Sequence, residues 1–288
     1  MPGFKSFAAF RDSVKSDGKT WTASFRKVVS NATVAGAWCD LSYSPGSPPP
    51  NFYATEPLVS AILSGNRGID NGGAVSPNKK YFKRLVVYSP STTFQSSSFI
   101  LCDYLLYYPF IDGDSTETQE LTNSVSLPRF TSGSGVQAIL VAQGSYVGNA
   151  QVSITYTNQD GTPGRVSPLF NTNTATFAAT LLTGGTIAGG SGPFIPLQSG
   201  DSGIRSVQSI TFSSANGGIC AIVLVKPICD ITLTEVTSVF ATPSEQSNFY
   251  NEFNGNEIQD GAYLNLLCLP NASVSGGVLQ GFLTTVWG

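Results

Sequence analysis

"GICAIVLVKPICDITLTEV", residues 218–236, decides the fold class. Positions 219–225 are apolar without interruption. A strand with one wet face alternates apolar and polar side chains, so this run reads as a central strand covered on both faces. Such a strand needs neighbours, and the chain supplies them. "YFKRLVVYS" (81–89), "SSFILCDYLLYY" (97–108), "GVQAILVAQ" (135–143), "QVSITYT" (151–157), "VQSITFSS" (207–214), "AYLNLLCL" (262–269) and "VLQGFLTTVWG" (278–288) are rich in β-branched and aromatic residues, with turn chemistry between them. Val152, Ile154 and Tyr156 alternate with polar residues, and Asp160-Gly161 behind them is a hairpin-type turn. The class is all-β: a β-sandwich, for which a jelly roll is one available arrangement, with an extended N-terminal arm and one or two short helices.

The start of the chain differs from the rest. Phe4, Phe7, Phe10 and Val14 recur at three- to four-residue spacing and predict one face of a short helix. Lys5, Arg11, Lys15, Lys19, Arg26 and Lys27 also fall here. Pro48, Pro49 and Pro50 favour an extended run that cannot join a sheet interior. Residues 1–54 are therefore expected to form an arm or extension, lying along a neighbour or along its own domain, and residues 55–288 the β-sandwich domain. A second helix is expected near residue 55, with Thr55 as cap, Pro57 in the first turn, "LVSAIL" as body and Gly65 as stop.

The 288 residues are 41% hydrophobic but only 11% charged, with a net charge of −3. An ordinary soluble domain is roughly 25% charged. The polar surface must come from Ser, Thr, Asn, Gln and Gly, and missing charge weakens protection against association. The balance gives no overall field to recruit nucleic acid. No apolar stretch is long enough to span a membrane as a helix, and the first residues do not read as a secretory signal. Cys39, Cys102, Cys220, Cys229 and Cys268 are odd in number and scattered, and most lie in strand-like runs. They are expected to be free thiols packed as small hydrophobes, in a protein made in a reducing compartment.

Gly200-Asp201-Ser202-Gly203 matches the surroundings of a nucleophilic serine. A serine hydroxyl needs a base to take its proton, normally an imidazole, and this chain has no histidine. The tetrapeptide is expected to be a tight turn. "FIDGDSTETQE" (110–120) spaces oxygens from Asp112, Asp114 and Glu117 as a calcium loop does, but lacks the glycine at position six and the glutamate at position twelve. It is a candidate cation loop, against the simpler reading of a solvated acidic loop. No catalytic residue and no cofactor is expected. Phe249, Tyr250 and Phe253 sit among polar residues in "SEQSNFYNEFNGNEIQDG" (244–261), as in contact loops. With Phe4, Phe7, Phe10, Pro48, Pro49 and Pro50 they make up the expected interface residues.

"WCDLSYSPGSPPPNFYATEPL" (38–58), "CDYLLYYPFIDGD" (102–114), "GPFIPLQSGDSGIRSV" (192–207) and the C-terminal "DGAYLNLLCLPN" (260–271) and "GFLTTVWG" (281–288) resemble virion structural proteins of tailed bacteriophages in style. The resemblance implies a β-sandwich subunit of a symmetric particle, made in the bacterial cytoplasm, with other virion proteins and copies of itself as partners. It carries no catalytic residue across. A capsid-associated decoration or cement protein is the expected role. A tail or fibre receptor-binding module recognising a glycan is the alternative.

Overall fold

The computed structural model describes the chain except residues 1–2, 30–31, 66, 91–93, 95–96, 184–191, 234–243 and 249–255. In chain order its elements are helix α1 (Phe7–Lys15) and strands β1 (Thr20–Val28), β2 (Cys39–Asp40), β3 (Gly46–Ser47), β4 (Ala61–Ile62), β5 (Lys80–Tyr88), β6 (Ser98–Asp112), β7 (Gln119–Glu120), β8 (Gln137–Ala142), β9 (Gln151–Asn158), β10 (Arg165–Val166), β11 (Phe170–Asn171), β12 (Ile204–Phe212), β13 (Ile219–Thr232), β14 (Ser244–Asn248), β15 (Leu264–Leu269) and β16 (Val278–Trp287). The protein is an all-β sandwich.

β6 and β13 set the architecture. They are 15 and 14 residues long, close to 50 Å at roughly 3.3 Å per residue and more than twice the usual strand length. They pair antiparallel from Ser98↔Thr232 to Asp112↔Ile219 and form the middle of a central sheet ordered β2-β15-β6-β13-β8, with β4 attached to β6. The expected central strand, 219–225, is indeed interior, between β6 and β8.

So long a sheet cannot be covered by one ordinary layer, and two smaller sheets share one of its faces. Phe99 and Leu101 of β6, Cys229 and Ile231 of β13, and Leu264, Leu266 and Cys268 of β15 pack against Phe25, Leu85, Val87, Leu279 and Leu283. Those belong to a terminal sheet, β14-β5-β16-β1-β3. Farther along the same face, Leu105, Leu106, Tyr108 and Ile111 pack against Val152, Ile154, Tyr156, Val207, Ile210 and Phe212. Those belong to a distal sheet, β10-β9-β12-β7, with β11 beside β9. A register shift at Leu105 lets Leu105 and Leu106 face the same core, and two further shifts bend the β6–β13 ladder. On the opposite face, Cys102, Tyr104, Tyr107, Val223 and Val225 are covered by Tyr53, Leu63 and Leu181 from connecting segments.

Residues 1–54 are woven into this body. β1 pairs with β16 over nine registers, Thr20↔Val286 to Val28↔Val278. The first strand thus lies beside the last, inside the terminal sheet. α1 is capped by Ser6, whose side chain accepts the Ala9 N–H at 3.1 Å. The prolines follow the edge strand β3, where a missing N–H costs no ladder bond.

The helix expected at 55–65 is not formed. Leu58 donates its N–H to Pro109 O, β4 pairs with Leu106 and Tyr107, and Leu63 donates to Leu105 O. β15 covers one edge of β6 only as far as Asp103. Beyond that point the buried N–H and C=O groups of β6 would be unpaired. Leu58, in a turn with φ 61°, and the extended residues 61–63 satisfy them, and that requirement overrides the cap and turn signals that favour a helix.

Candidate functional site

The Gly-Asp-Ser-Gly segment is held by its aspartate and by its backbone. The Asp201 carboxylate accepts hydrogen bonds from Tyr156 Oη at 2.6 Å, Asn158 Nδ2 at 2.8 Å, Arg165 Nε at 2.9 Å and Arg165 Nη2 at 3.1 Å. The Arg165 guanidinium first, then Tyr156 and Asn158, hold its pKa down to about 2. Ser202 is tied through its backbone: its N–H donates to Gln159 Oε1 and its carbonyl accepts from Gly135 N. Gly203 runs against the 133–135 turn so closely that an added Cβ would lie 2.0 Å from Gly133 O. The motif anchors the connection into β12.

The acidic loop follows β6. Asp112 accepts the N–H of Asp114, and Asp114 accepts the N–H of Gly217 at 2.6 Å. Asp112, Asp114, Glu117 and Glu120 are all exposed. Among the described residues no three His, Cys, Asp or Glu side chains are grouped as a metal would need. The structure does not bring Asp112, Asp114 and Glu117 together as a cation site, because the two aspartates close the turns around them.

The expected interface residues divide. Phe4 packs edge-on to Phe10 and against Tyr81 of β5, and Phe10 is buried. Both lie on the chain's own terminal sheet, while Phe7 is 63% exposed. Pro48 is buried and Pro49 exposed. The Pro48 carbonyl accepts from the buried Lys27 ammonium at 2.9 Å, and the Pro50 carbonyl accepts from Arg67. Burial lowers Lys27 to about 8, against the pull of Asp40. Phe249, Tyr250 and Phe253 lie outside the described residues. All five cysteines are buried.

Two buried polar clusters brace the central sheet. Asp40 accepts from Tyr53 Oη, Tyr104 Oη, Ser42 Oγ and the Ser42 N–H. Burial nevertheless pushes its carboxyl up. Asp103 accepts both Nε and Nη2 of Arg129 and the Tyr263 N–H. Such fully bonded clusters are structural.

Two exposed surfaces stand out among the described residues. One is the outer side of the terminal sheet. Cross-strand registers set three rows on the outer side of β1, β16 and β5: Thr22–Thr284–Arg84, Ser24–Phe282–Val86 and Arg26–Gln280–Tyr88, of which Thr284 is buried and the rest are exposed or half-buried. Phe282 is 39% exposed at the centre and stacks on Tyr88, with ring centroids 6.3 Å apart. The other is a groove of about 710 Å³ on the central sheet, with Trp38 and Phe194, Gln137 and Lys226, Asp230 and Thr232 among its lining. Sequence reasoning missed both. Alternation places Thr22, Ser24 and Arg26 on one face of β1, but nothing in the sequence places the first strand beside the last.

No protein-family model matches the chain, and no curated protein matches it. Solved structures with a detectable likeness include the infectious bursal disease virus VP2 subviral particle, at 8% identity over 93% of this chain and 80% of that chain, with a TM-score of 0.17. The structure of the Gt strain of that virus aligns at 8% identity over 96% of this chain and 86% of that chain, with a TM-score of 0.18. The T=1 particles derived from the same virus align at 9% identity over 93% and 77%, again with a TM-score of 0.18. Spatial overlap this small carries no inference about fold or role.

Proposed function

We propose that this chain is a non-enzymatic structural subunit of a virion, a capsid-associated decoration or cement protein of a tailed bacteriophage. It is made in the host cytoplasm and held in the particle by contacts with other virion proteins and with its own copies. The observation that carries this reading is the outer side of the β5–β16–β1 sheet, where an exposed Phe282 sits among mostly uncharged side chains with an arginine at each of two diagonal corners. An apolar centre with a polar rim is the anatomy of a contact surface. The low overall charge and the structural use of the strongest polar groups, Asp40, Asp103 and Asp201, favour the same reading. The test is incorporation of the full chain into purified particles with and without Phe282→Lys. Wild-type incorporation with clear loss in the variant is expected. Absence of the wild-type chain from the particles overturns the proposal.

The groove favours a second reading, a glycan-binding module of a tail or fibre. Trp38 and Phe194 offer apolar surface, and Gln137 and Asp230 offer polar groups to orient a ligand. Glycan-array binding that disappears in Trp38→Ala supports it, and an empty array removes it.

A further inference from the structure

The outer grid of the terminal sheet carries two arginines at diagonal corners, Arg26 and Arg84. Both are exposed, and neither belongs to an ion pair among the described residues. Lys83 adjoins Arg84 and is pushed down by burial and by that like charge. The β6–β7 turn carries the opposite sign. Asp112, Asp114, Glu117 and Glu120 are exposed within one short stretch, and no basic side chain pairs with them among the described residues.

The two charge groups sit at opposite ends of the long strand. The terminal sheet covers the Phe99–Leu101 end of β6, and the acidic turn follows Asp112 at the other. The separation along the strand is about 40 Å at roughly 3.3 Å per residue, far beyond a Debye length of about 8 Å at physiological salt. Among the described residues, these two charge groups therefore do not neutralise each other within one copy. We infer that the Arg26–Phe282–Arg84 face of one copy receives the Asp112–Glu120 turn of a second copy. This rests on the structural-subunit reading and names the partner of that face.

The argument from charge selects a second copy over nucleic acid. The chain is negative overall, and the face offers only two arginines, on either side of an apolar centre. The acidic turn, by contrast, is guaranteed on each copy. A contact between two different patches leaves a free face and a free turn at its ends, so it propagates into rings or open strings.

The test is sedimentation velocity of the full chain at about 0.05 M and about 1 M salt, which changes the screening length several-fold. The expected result is concentration-dependent association at low salt that largely disappears at high salt. Arg26→Glu/Arg84→Glu and Glu117→Lys/Glu120→Lys should each weaken it about tenfold or more. Mixed together, the two variants should associate again, because the intact turn of one meets the intact face of the other and the two reversed halves also match in charge. The variant carrying all four changes should associate again. Matching thermal unfolding of all variants establishes that each is folded.

Association that neither pair of substitutions changes overturns the inference. So does loss confined to the arginine variant, which means that the face meets another partner. Binding of a single-stranded oligonucleotide that only the arginine variant loses identifies that partner as nucleic acid. A wild-type chain that stays monomeric at both salts yet is incorporated into particles defeats this inference and leaves the structural-subunit reading standing. Absence from particles defeats that reading itself.

Discussion

Arg129 grips Asp103 through two hydrogen bonds of 2.8 Å, Nε to Oδ2 and Nη2 to Oδ1, at the seam where the two cores of the central sheet meet. Asp103 lies on β6 between Leu101, which faces the terminal sheet, and Leu105, which faces the distal sheet. Arg129 also donates to Tyr104 O, and Asp103 accepts the Tyr263 N–H. The pair therefore satisfies backbone groups as well as itself. Burial pushes the Asp103 carboxyl up, and the guanidinium pulls it back.

Removing one partner should cost far more than removing both. Arg129→Met leaves a buried carboxylate without its cation, an expected loss of about 3–5 kcal/mol. The double change Arg129→Met/Asp103→Leu should recover much of that, because the charge leaves with its partner. Urea unfolding of the three proteins measures both, and equal losses in the single and double variants would contradict the account.

Acid sensitivity should include a component from Asp201. Its folded pKa of about 2 lies below the unfolded carboxylate value of about 3.9. A depressed folded pKa contributes stability that is present above the unfolded value and lost as pH falls through the folded one. Wild type should therefore lose this contribution between about pH 4 and about pH 2. Asp201→Asn should have a lower melting temperature at neutral pH and a shallower fall across that window. The quantity to follow is the wild-type minus variant difference in melting temperature against pH, which should shrink on acidification.

Ser202 and Gly203 should respond in opposite ways to one added or removed atom. Ser202→Ala retains the backbone bonds to Gln159 and Gly135, so stability should change by no more than about 0.5 kcal/mol. Gly203→Ala drives a Cβ into Gly133 O and should destabilise by about 1–3 kcal/mol. Thermal melts of the two variants provide the comparison. Loss of a hydrolytic activity in Ser202→Ala would overturn the structural reading of the turn.

The cysteines should report unfolding. Cys102, Cys220 and Cys268 are fully buried, and Cys39 and Cys229 are 6% exposed. Burial raises the thiols of Cys102, Cys220 and Cys268 and suppresses the reactive thiolate. In the native protein an alkylating reagent should modify Cys39 and Cys229 first, and the other three only at the rate of global opening. Mass spectrometry of timed samples reads the order, and early modification of Cys220 would contradict it.

Reading the fold from the residues works where the signal is local. The unbroken apolar run at 219–225 marks a strand covered on both faces, and the alternation at 152–156 marks one with a wetter side. Phe7, Phe10 and Val14 fall within α1, while Phe4 precedes its cap at Ser6. Reading fails at 55–65, where cap and proline signals favour a helix. The free edge of β6 between Tyr104 and Asp112 instead recruits those residues as an extended partner, and that edge exists only once β15 has ended at Asp103. The candidate surfaces were less legible still, because Arg26, Phe282 and Arg84 come from strands far apart in the chain.

Side-chain chemistry along the chain determined by itself that this protein pleats, that its thiols are hidden and that Ser202 has no imidazole to activate it. Each of these follows from composition or from periodicity over a few residues. Tertiary structure alone decided that β6 and β13 carry two cores, that Asp103 and Arg129 join them, and that β1 lies beside β16. Strand pairing is set by backbone hydrogen bonds between distant segments, and those bonds are nearly indifferent to which residues make them.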